Sequence, residues 1–202
     1  MKRKGLLLVI SGPSGCGKGT VCSALLEKNE NMAVSVSATT RDKRPGETEG
    51  VSYFFKTREE FEEMIKNDQL LEYNCGYSGN YYGTPRKYVM DCLEEGKDVI
   101  LEIEMNGAAN VKKAFPDAVT VFLCPPNLEE LHNRLVGRGR ESMELIEERF
   151  REAKAEIARM REYDYAVVND QVSTAVKRIE TILEAERCAV KRCGELLNDL
   201  TK

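Results

Sequence analysis

The sequence predicts an α/β fold, in which helices cover both faces of a parallel sheet and a smaller mixed β/α subdomain is inserted into that three-layer core. Three observations lead to this prediction. Short apolar runs recur along the chain, and segments with helical spacing alternate with them. Between residues 33 and 84 the alternation stops, and short β-like pieces surround one short helix.

The core strands are predicted from apolar runs that do not alternate with polar residues. Such runs are typical of strands buried on both faces, as in the centre of a parallel sheet. They cover residues 5–11, 99–103, 118–124 and 165–168.

The core helices are predicted where apolar residues recur every three or four positions. Right-handed crossovers through these helices would connect successive parallel strands. The chain end adds a longer helix over 174–200, in which Val176, Leu183, Val190 and Leu197 recur every seven residues and predict one apolar seam. The other helical segments are 20–27, 85–95, 107–115, 128–135 and 143–161.

Two interruptions divide the single predicted domain into a core, an insert and a lid. The insert, residues 33–84, has β-like pieces at 33–37, 52–55 and 70–74 and a helix at 58–67. Residues 137–142 are basic and punctuated by glycine, which is the composition of a mobile flap. The core is then expected to comprise residues 1–32, 85–136 and 143–202.

Composition and charge exclude several classes of function. The chain has 202 residues and a net charge of -4. It therefore lacks the excess of positive charge that would predict binding to nucleic acid or to an anionic membrane. Its apolar runs are far shorter than the roughly 20 residues of a membrane-spanning helix, and the first residues do not form a signal-peptide core. We therefore expect a cytoplasmic protein with small-molecule partners. Nothing in the composition decides its oligomeric state, and a homodimer stays open.

The cysteines and the single histidine exclude further classes of site. Seven cysteines are odd in number and lack the paired spacing of a zinc site, which favours reduced thiols. Because His132 is the only histidine, histidine-dependent triads and multi-histidine metal sites are excluded.

A glycine-rich loop follows the first predicted strand and precedes the first predicted helix. In this setting backbone N–H groups converge on an anion, and Lys18 adds a point charge for the β- and γ-phosphates. The motif indicates a phosphate-binding loop (P-loop). Gly19 stands where most such loops have Ser or Thr, so magnesium ligation by Thr20 is left open. The loop comprises Gly12, Pro13, Ser14, Gly15, Cys16, Gly17, Lys18, Gly19 and Thr20.

Cys16 lies inside this loop, near a helix N-terminus and a lysine. These conditions lower the pKa of a thiol. The sequence therefore predicts a reactive Cys16 that alkylating reagents modify and bound ATP protects, although a small inert residue fits the position equally well.

A second polar cluster lies within the insert and contains Ser37, Arg41, Arg44 and Tyr53. Guanidinium groups bind phosphate bidentately, and hydroxyl groups add neutral donors. The chemistry suits a phosphomonoester. Taken alone, two arginines beside a Pro-Gly turn fit a solvated loop as well.

Several ordered motifs together resemble the guanylate kinases. The resemblance extends over residues 6–186 and implies transfer of a phosphoryl group from ATP to GMP or dGMP, with Mg²⁺. It further implies a P-loop core, a GMP-binding insert and an arginine-bearing lid. Besides the P-loop, the motifs are the segment 41–50, Ser78-Gly-Asn-Tyr-Tyr-Gly83, Leu101-Glu-Ile-Glu-Met-Asn-Gly107, Arg134 with Arg138-Gly, Tyr163-Asp-Tyr and Val168-Asn-Asp.

The resemblance also implies roles for individual residues. Glu102 would organise a magnesium-bound water, and Asn169 would meet the adenine ring. The charge clamp on the transferred group would comprise Lys18, Arg134, Arg138 and Arg149, with Arg140 as a weaker candidate. The GMP phosphate would be held by Ser37, Arg41, Arg44, Tyr53 and Tyr82, and guanine by Glu72, Thr84 and Glu104.

These implied roles agree with the chemistry of guanine. Its N1–H and N2–H₂ groups lie side by side, so that one carboxylate accepts both, whereas adenine offers an acceptor there. Glu72 would thus favour guanine over adenine. Glu104 departs from the family pattern, which usually has the shorter Asp.

Two other functions stay open from the sequence. A guanylate-kinase-like scaffold domain would bind a protein without catalysis, but it should have lost Lys18 or the lid arginines. A kinase of another monophosphate, such as an adenylate kinase, would leave Arg41, Arg44 and Glu72 unexplained.

Overall fold

A five-stranded parallel sheet forms the centre of the molecule. The computed structural model describes residues 4–76, 79–137, 143–194 and 200–201. Its strands are β1 Leu7–Ser11, β2 Met32–Val34, β3 Ala38–Thr39, β4 Phe54–Phe55, β5 Leu70–Cys75, β6 Tyr81–Pro85, β7 Asp98–Glu102, β8 Val119–Cys124 and β9 Tyr165–Val168. Its helices are α1 Lys18–Lys28, α2 Arg58–Lys66, α3 Arg86–Glu95, α4 Met105–Ala114, α5 Leu128–Val136, α6 Met143–Ala158 and α7 Val172–Arg187. The predicted α/β fold is confirmed.

The core sheet has the strand order β2-β7-β1-β8-β9, and β1 is buried along its whole length. Successive side chains of a strand point to opposite faces. Leu8 and Ile10 therefore pack with residues of α1 and α7 on one face, and Leu7 and Val9 pack with residues of α3 and α4 on the other. Full burial of one such side chain contributes about 2 kcal/mol. Because helices cover both faces of the sheet, the residues of β1 from Leu7 to Ile10 are all apolar and do not alternate with polar residues.

A second, mixed sheet of order β4-β3-β6-β5 forms the insert. Its apolar core is small, with Ala38, Phe61 and Leu70 as the buried members. A capping box fixes the start of α2, because Thr57 accepts the Glu60 backbone N–H and the Glu60 side chain accepts that of Thr57. The insert therefore has a much smaller hydrophobic core than the parallel sheet to which it is attached.

The boundary of the insert differs from the sequence expectation. Residues 32–34 form β2, which pairs in parallel with β7 at the edge of the core sheet. The predicted strand over 33–37 therefore belongs mainly to the core, and the insert begins after Val34. The apolar character of this short piece did not show which sheet it joins, because strand pairing is a tertiary property.

The strand at the other edge, β9, is parallel as predicted but is not buried on both faces. Val167 packs in the same cluster as α7, whereas Ala166 and Val168, which point to the opposite face, are exposed. The apolar run alone therefore overstated the burial of this strand.

The predicted helix over 174–200 is correct only in its first half. The seam residues of α7 pack on the core sheet, but α7 ends at Arg187, whose guanidinium pairs with the buried Asp98 at the start of β7. Val190, the next residue of the predicted seam, is 86% exposed. The next seam residue, Leu197, lies outside the described residues, as do residues 138–142 of the predicted lid. In the described part of the chain, no helix is both long enough and apolar enough to cross a membrane.

Candidate active site

The glycine-rich loop joins β1 to α1 at the carboxyl edge of the core sheet. Gly12 and Gly17 have φ angles of +148° and +91°, which favour glycine. A Cβ atom at Gly12 would lie 2.4 Å from the carbonyl oxygen of Leu123, and one at Gly17 would lie 2.6 Å from Nδ2 of Asn169. Both positions therefore require glycine for space as well as for backbone conformation.

Lys18 is the first residue of α1 and folds back over the loop. Its Nζ donates to the carbonyl oxygens of Gly12 at 2.6 Å and Pro13 at 3.2 Å. The ammonium group is thereby held at the wall of the cleft. Thr20 is exposed on the first turn of α1.

Asn169 follows β9 and supports this loop from behind. Its side chain is buried, and Nδ2 donates to the carbonyl oxygen of Cys16 at 2.9 Å. Arg134 reaches the same place, because its Nη2 donates to the Asn169 carbonyl oxygen at 3.2 Å while its Nε donates to Glu130. The structure thus gives Asn169 a contact with the loop that the sequence did not suggest.

The expectation of a reactive Cys16 is wrong. The residue is fully buried, and this burial raises the pKa of its thiol even though Lys18 favours the thiolate. Desolvation therefore outweighs the helix N-terminus and the lysine. All seven cysteines are free thiols in the structure.

One cleft of about 400 Å³ brings the loop and the insert together. Parallel strands of the core end at this edge, and the insert lies opposite. From the core, Gly12, Ser14, Lys18, Glu102, Glu104 and Arg149 line the cleft, and from the insert, Ser37, Arg41, Arg44, Tyr53, Glu72 and Tyr82 do so.

Of the two arginines that line the cleft from the insert, Arg41 lies beside aromatic rings. The guanidinium carbon of Arg41 lies 5.2 Å from the ring centre of Tyr53, and the Tyr53 and Tyr82 rings meet edge to face at 6.1 Å. Burial raises the pKa of Tyr53, which keeps its hydroxyl protonated. This side of the cleft therefore presents positive charge together with neutral hydroxyl donors.

Glu72 is the buried carboxylate of the insert, and only 7% of it is exposed. Its Oε1 accepts a hydrogen bond from the Thr84 hydroxyl at 2.8 Å. Burial raises the pKa of Glu72 to about 7, although the bond to Thr84 favours the charged form. A Cβ atom at Gly107 would lie 3.2 Å from Oε2, so this glycine leaves space beside the carboxylate.

Glu102 ends β7 next to the loop, where a Cβ atom at Gly19 would lie 3.6 Å from its Oε2. Solvent reaches the residue through the cleft, but the surrounding protein raises the pKa of its carboxyl, while the Lys18 charge and the Cys22 thiol lower it. The side chain thus places an acidic group beside Lys18.

Sequence reasoning missed several residues of the cleft. Asn74 and Gly107 line it from β5 and α4, and Glu156 lines it from α6, two turns after Arg149. Burial raises the pKa of Glu156, while the Lys18 charge and the Ser14 backbone N–H lower it. Of these three residues, only Gly107 had a signal in the sequence, since it ends the motif Leu101-Glu-Ile-Glu-Met-Asn-Gly107.

Some predicted residues lie away from the cleft lining. Thr84 reaches it only through Glu72, and Arg134 and Asn169 lie behind the loop. Arg138 and Arg140 lie outside the described residues.

A larger cavity of about 480 Å³ lies elsewhere, between the first turn of α3 and the segments that join the insert to the core. Its lining is mainly apolar, including Val34, Phe54 and Tyr88, and its charged residues Lys87 and Asp91 pair with each other at 2.6 Å. The cleft with the P-loop is the better candidate because it alone combines phosphate-binding groups with a buried carboxylate among the residues described.

Comparisons with known proteins show which family this chain resembles in sequence and in fold. The family model described as guanylate kinase matches residues 4–186. A guanylate kinase of Streptococcus pneumoniae is 59% identical over 193 residues, which cover 95% of this chain and 92% of that protein. One of Halalkalibacterium halodurans is 54% identical over 201 residues, covering 100% and 98%. The crystal structure of guanylate kinase from Anaplasma phagocytophilum matches with a TM-score of 0.78 at 35% identity, covering 95% of this chain and 91% of that chain.

Proposed function

The chain belongs to the guanylate kinase family, and we infer that it transfers the γ-phosphoryl group of ATP to GMP, giving ADP and GDP. The observation that carries this function is the shared cleft, in which a P-loop lysine, two arginines and a buried carboxylate face one another. Such a cleft accommodates two phosphate-bearing ligands and distinguishes a base. We propose dGMP as a second acceptor.

On the donor side, we propose that residues 12–20 bind the phosphates of ATP. Backbone N–H groups of the loop and the start of α1 favour an anion, and Lys18 would exchange its present carbonyl partners for phosphate oxygens. Arg149 would stabilise charge on the transferred group from α6, with Arg134 and Arg138 completing the clamp. Asn169 would act on the donor site by holding the loop, in addition to any contact with adenine.

On the acceptor side, we propose that Arg41, Arg44, Ser37, Tyr53 and Tyr82 bind the GMP phosphate. Two guanidinium groups supply charge and bidentate donors, and the hydroxyl groups add neutral donors. Alignment of the acceptor phosphate with the γ-phosphate supplies most of the acceleration, because phosphoryl transfer needs little covalent chemistry from the protein.

Glu72 is proposed to select guanine, with Thr84 and Glu104 beside it. The Thr84 hydroxyl occupies Oε1, and the remaining lone pairs of the carboxylate are available for N1–H and N2–H₂ of the base. Adenine presents an acceptor at this edge and would leave Oε2 of the buried carboxylate without a donor, which is costly.

The family uses ATP together with Mg²⁺. Among the described residues, no group of three or more His, Cys, Asp or Glu side chains could hold a metal ion, but the Glu102 carboxylate beside Lys18 and Gly19 fits an ion held through water. We propose that Glu102 orients a water of the magnesium shell. The ion, when bound with ATP, would neutralise phosphate charge.

The alternatives fit the molecule less well. A scaffold domain that only binds protein has no need of Lys18, Arg149 and Arg41 in one cleft, and a kinase of another monophosphate does not account for Glu72. The names of the relatives favour neither alternative.

The test is ADP release in a coupled assay with ATP and magnesium. We expect release that depends on added GMP. ATP turnover that ignores GMP, or no turnover, would contradict the proposal.

A further inference from the structure

Glu47 is an acidic residue that faces the two arginines of the acceptor site. Its Oε1 accepts from Nη2 of Arg41 at 2.7 Å, and its Oε2 accepts from Nη1 at 3.0 Å. The same Oε2 accepts the backbone N–H of Arg44 at 2.8 Å. One carboxylate thus holds a side chain and a backbone segment that both belong to the acceptor site.

These bonds use one particular edge of the Arg41 guanidinium. Nη1 also donates to the Asp42 carbonyl oxygen at 2.7 Å, so both of its hydrogens are engaged. The Nε–H and the second hydrogen of Nη2 form the side edge of the guanidinium, and the Tyr82 hydroxyl, itself proposed to bind the phosphate, hydrogen-bonds to the Arg41 side chain. Two parallel N–H groups on one guanidinium edge match two oxygens of a phosphate.

Packing supports the same orientation. The guanidinium carbon lies 5.2 Å from the ring centre of Tyr53 and 5.9 Å from that of Phe55. The Arg41 side chain is only 12% exposed. The pair with Arg41 and the Arg44 N–H lower the pKa of Glu47 to about 2, so the carboxylate stays charged at neutral pH.

We propose that Glu47 is a positioning residue for the acceptor phosphate: it holds Arg41 by its terminal edge, so that the side edge faces the cleft, and it fixes the backbone that carries Arg44. This inference rests on the proposed binding of the GMP phosphate by Arg41 and Arg44.

Two physical effects of Glu47 have opposite signs, which makes the proposal testable. Its negative charge repels a phosphate, so loss of that charge alone would strengthen GMP binding. Loss of the bidentate pair would free a long side chain, which must then be ordered again when GMP binds. We expect the lost ordering of Arg41 to outweigh the lost repulsion of the phosphate, so that GMP affinity falls about tenfold or more.

The test compares steady-state kinetics of Glu47→Gln with those of a matched control, Glu49→Gln. Glu49 lies in the same segment and accepts the Phe55 backbone N–H at 3.0 Å, but it is not bonded to either arginine. For Glu47→Gln we expect KM for GMP to rise about tenfold or more, with KM for ATP within about twofold of the wild type. In Glu49→Gln, KM for GMP should stay near the wild-type value.

A double variant shows whether Glu47 acts through Arg41. In an Arg41→Ala background, Glu47→Gln should add little further loss of GMP affinity. A KM for GMP in Glu47→Gln that equals or falls below the wild-type value would overturn the proposal. Losses that add fully in the double variant would overturn the part of it in which Glu47 orients Arg41. The proposed function fails separately, if the wild type shows no GMP-dependent turnover.

Discussion

Glu72→Gln tests the buried carboxylate through the stability of the protein. The residue is 7% exposed, and burial raises its pKa from 4.5 to about 7. The folded state therefore binds this proton more tightly than the unfolded state does. As pH rises from about 4.5 to 7, the unfolded chain loses the proton first, and the folded state becomes less stable relative to it.

The structure sets the size of the effect. A shift from 4.5 to about 7 corresponds to about 3 kcal/mol of destabilisation above pH 7. Glutamine has nearly the same shape, and its carbonyl oxygen can still accept from the Thr84 hydroxyl. The variant should thus be more stable than the wild type above pH 7, and this difference should shrink as the pH falls towards 4.5.

Urea unfolding of both proteins between pH 5 and 8.5, without nucleotides, measures this difference. The same variant should lose GMP turnover, because its amide places a donor where guanine N1–H needs an acceptor. Gained stability together with lost activity is the expected result. A difference in stability between the variant and the wild type that does not change with pH would refute the argument that burial desolvates the Glu72 carboxylate.

Three further substitutions test other parts of the cleft. Lys18→Met should keep the fold, since the Nζ partners among the described residues are loop carbonyls, but should lower kcat about 100-fold or more; wild-type turnover would refute the P-loop assignment. Gly107→Ala should raise KM for GMP and leave KM for ATP unchanged, because the new methyl group would lie 3.2 Å from Glu72 Oε2; equal effects on both substrates would contradict this. Glu104→Asp should leave the preference for GMP over AMP nearly unchanged, and a strong gain in selectivity would show that Glu104, not Glu72, selects the base.

Local signals explain which parts of the fold and site could be predicted. The P-loop was predictable because strand, glycines, lysine and helix adjoin one another in the sequence. The central strands were predictable because burial on both faces leaves an unbroken apolar run. The grouping of Arg41, Glu72 and Lys18 in one cleft came from family resemblance, since no local pattern links three separate segments.

Tertiary contacts explain what was missed. Cys16 has the sequence context of a reactive thiol, but burial against the sheet raises its pKa. The seven-residue repeat continued past Arg187, but α7 ends there and Val190, the next residue of the repeat, is exposed. Glu47 gave no signal, because an acid after Pro-Gly is ordinary in a loop and its importance depends on the position of Arg41.

The most direct test of the account is the kcat/KM of the wild type for GMP, IMP and AMP at saturating ATP. IMP keeps N1–H but lacks the N2 amino group, and AMP lacks both donors. If Glu72 accepts both groups of guanine, IMP should be about 10- to 100-fold poorer than GMP, because one hydrogen bond to a charged group is lost. AMP should be about 10⁴-fold poorer or worse. Comparable values for GMP and AMP would contradict the central claim that this cleft is built to phosphorylate a guanine nucleotide.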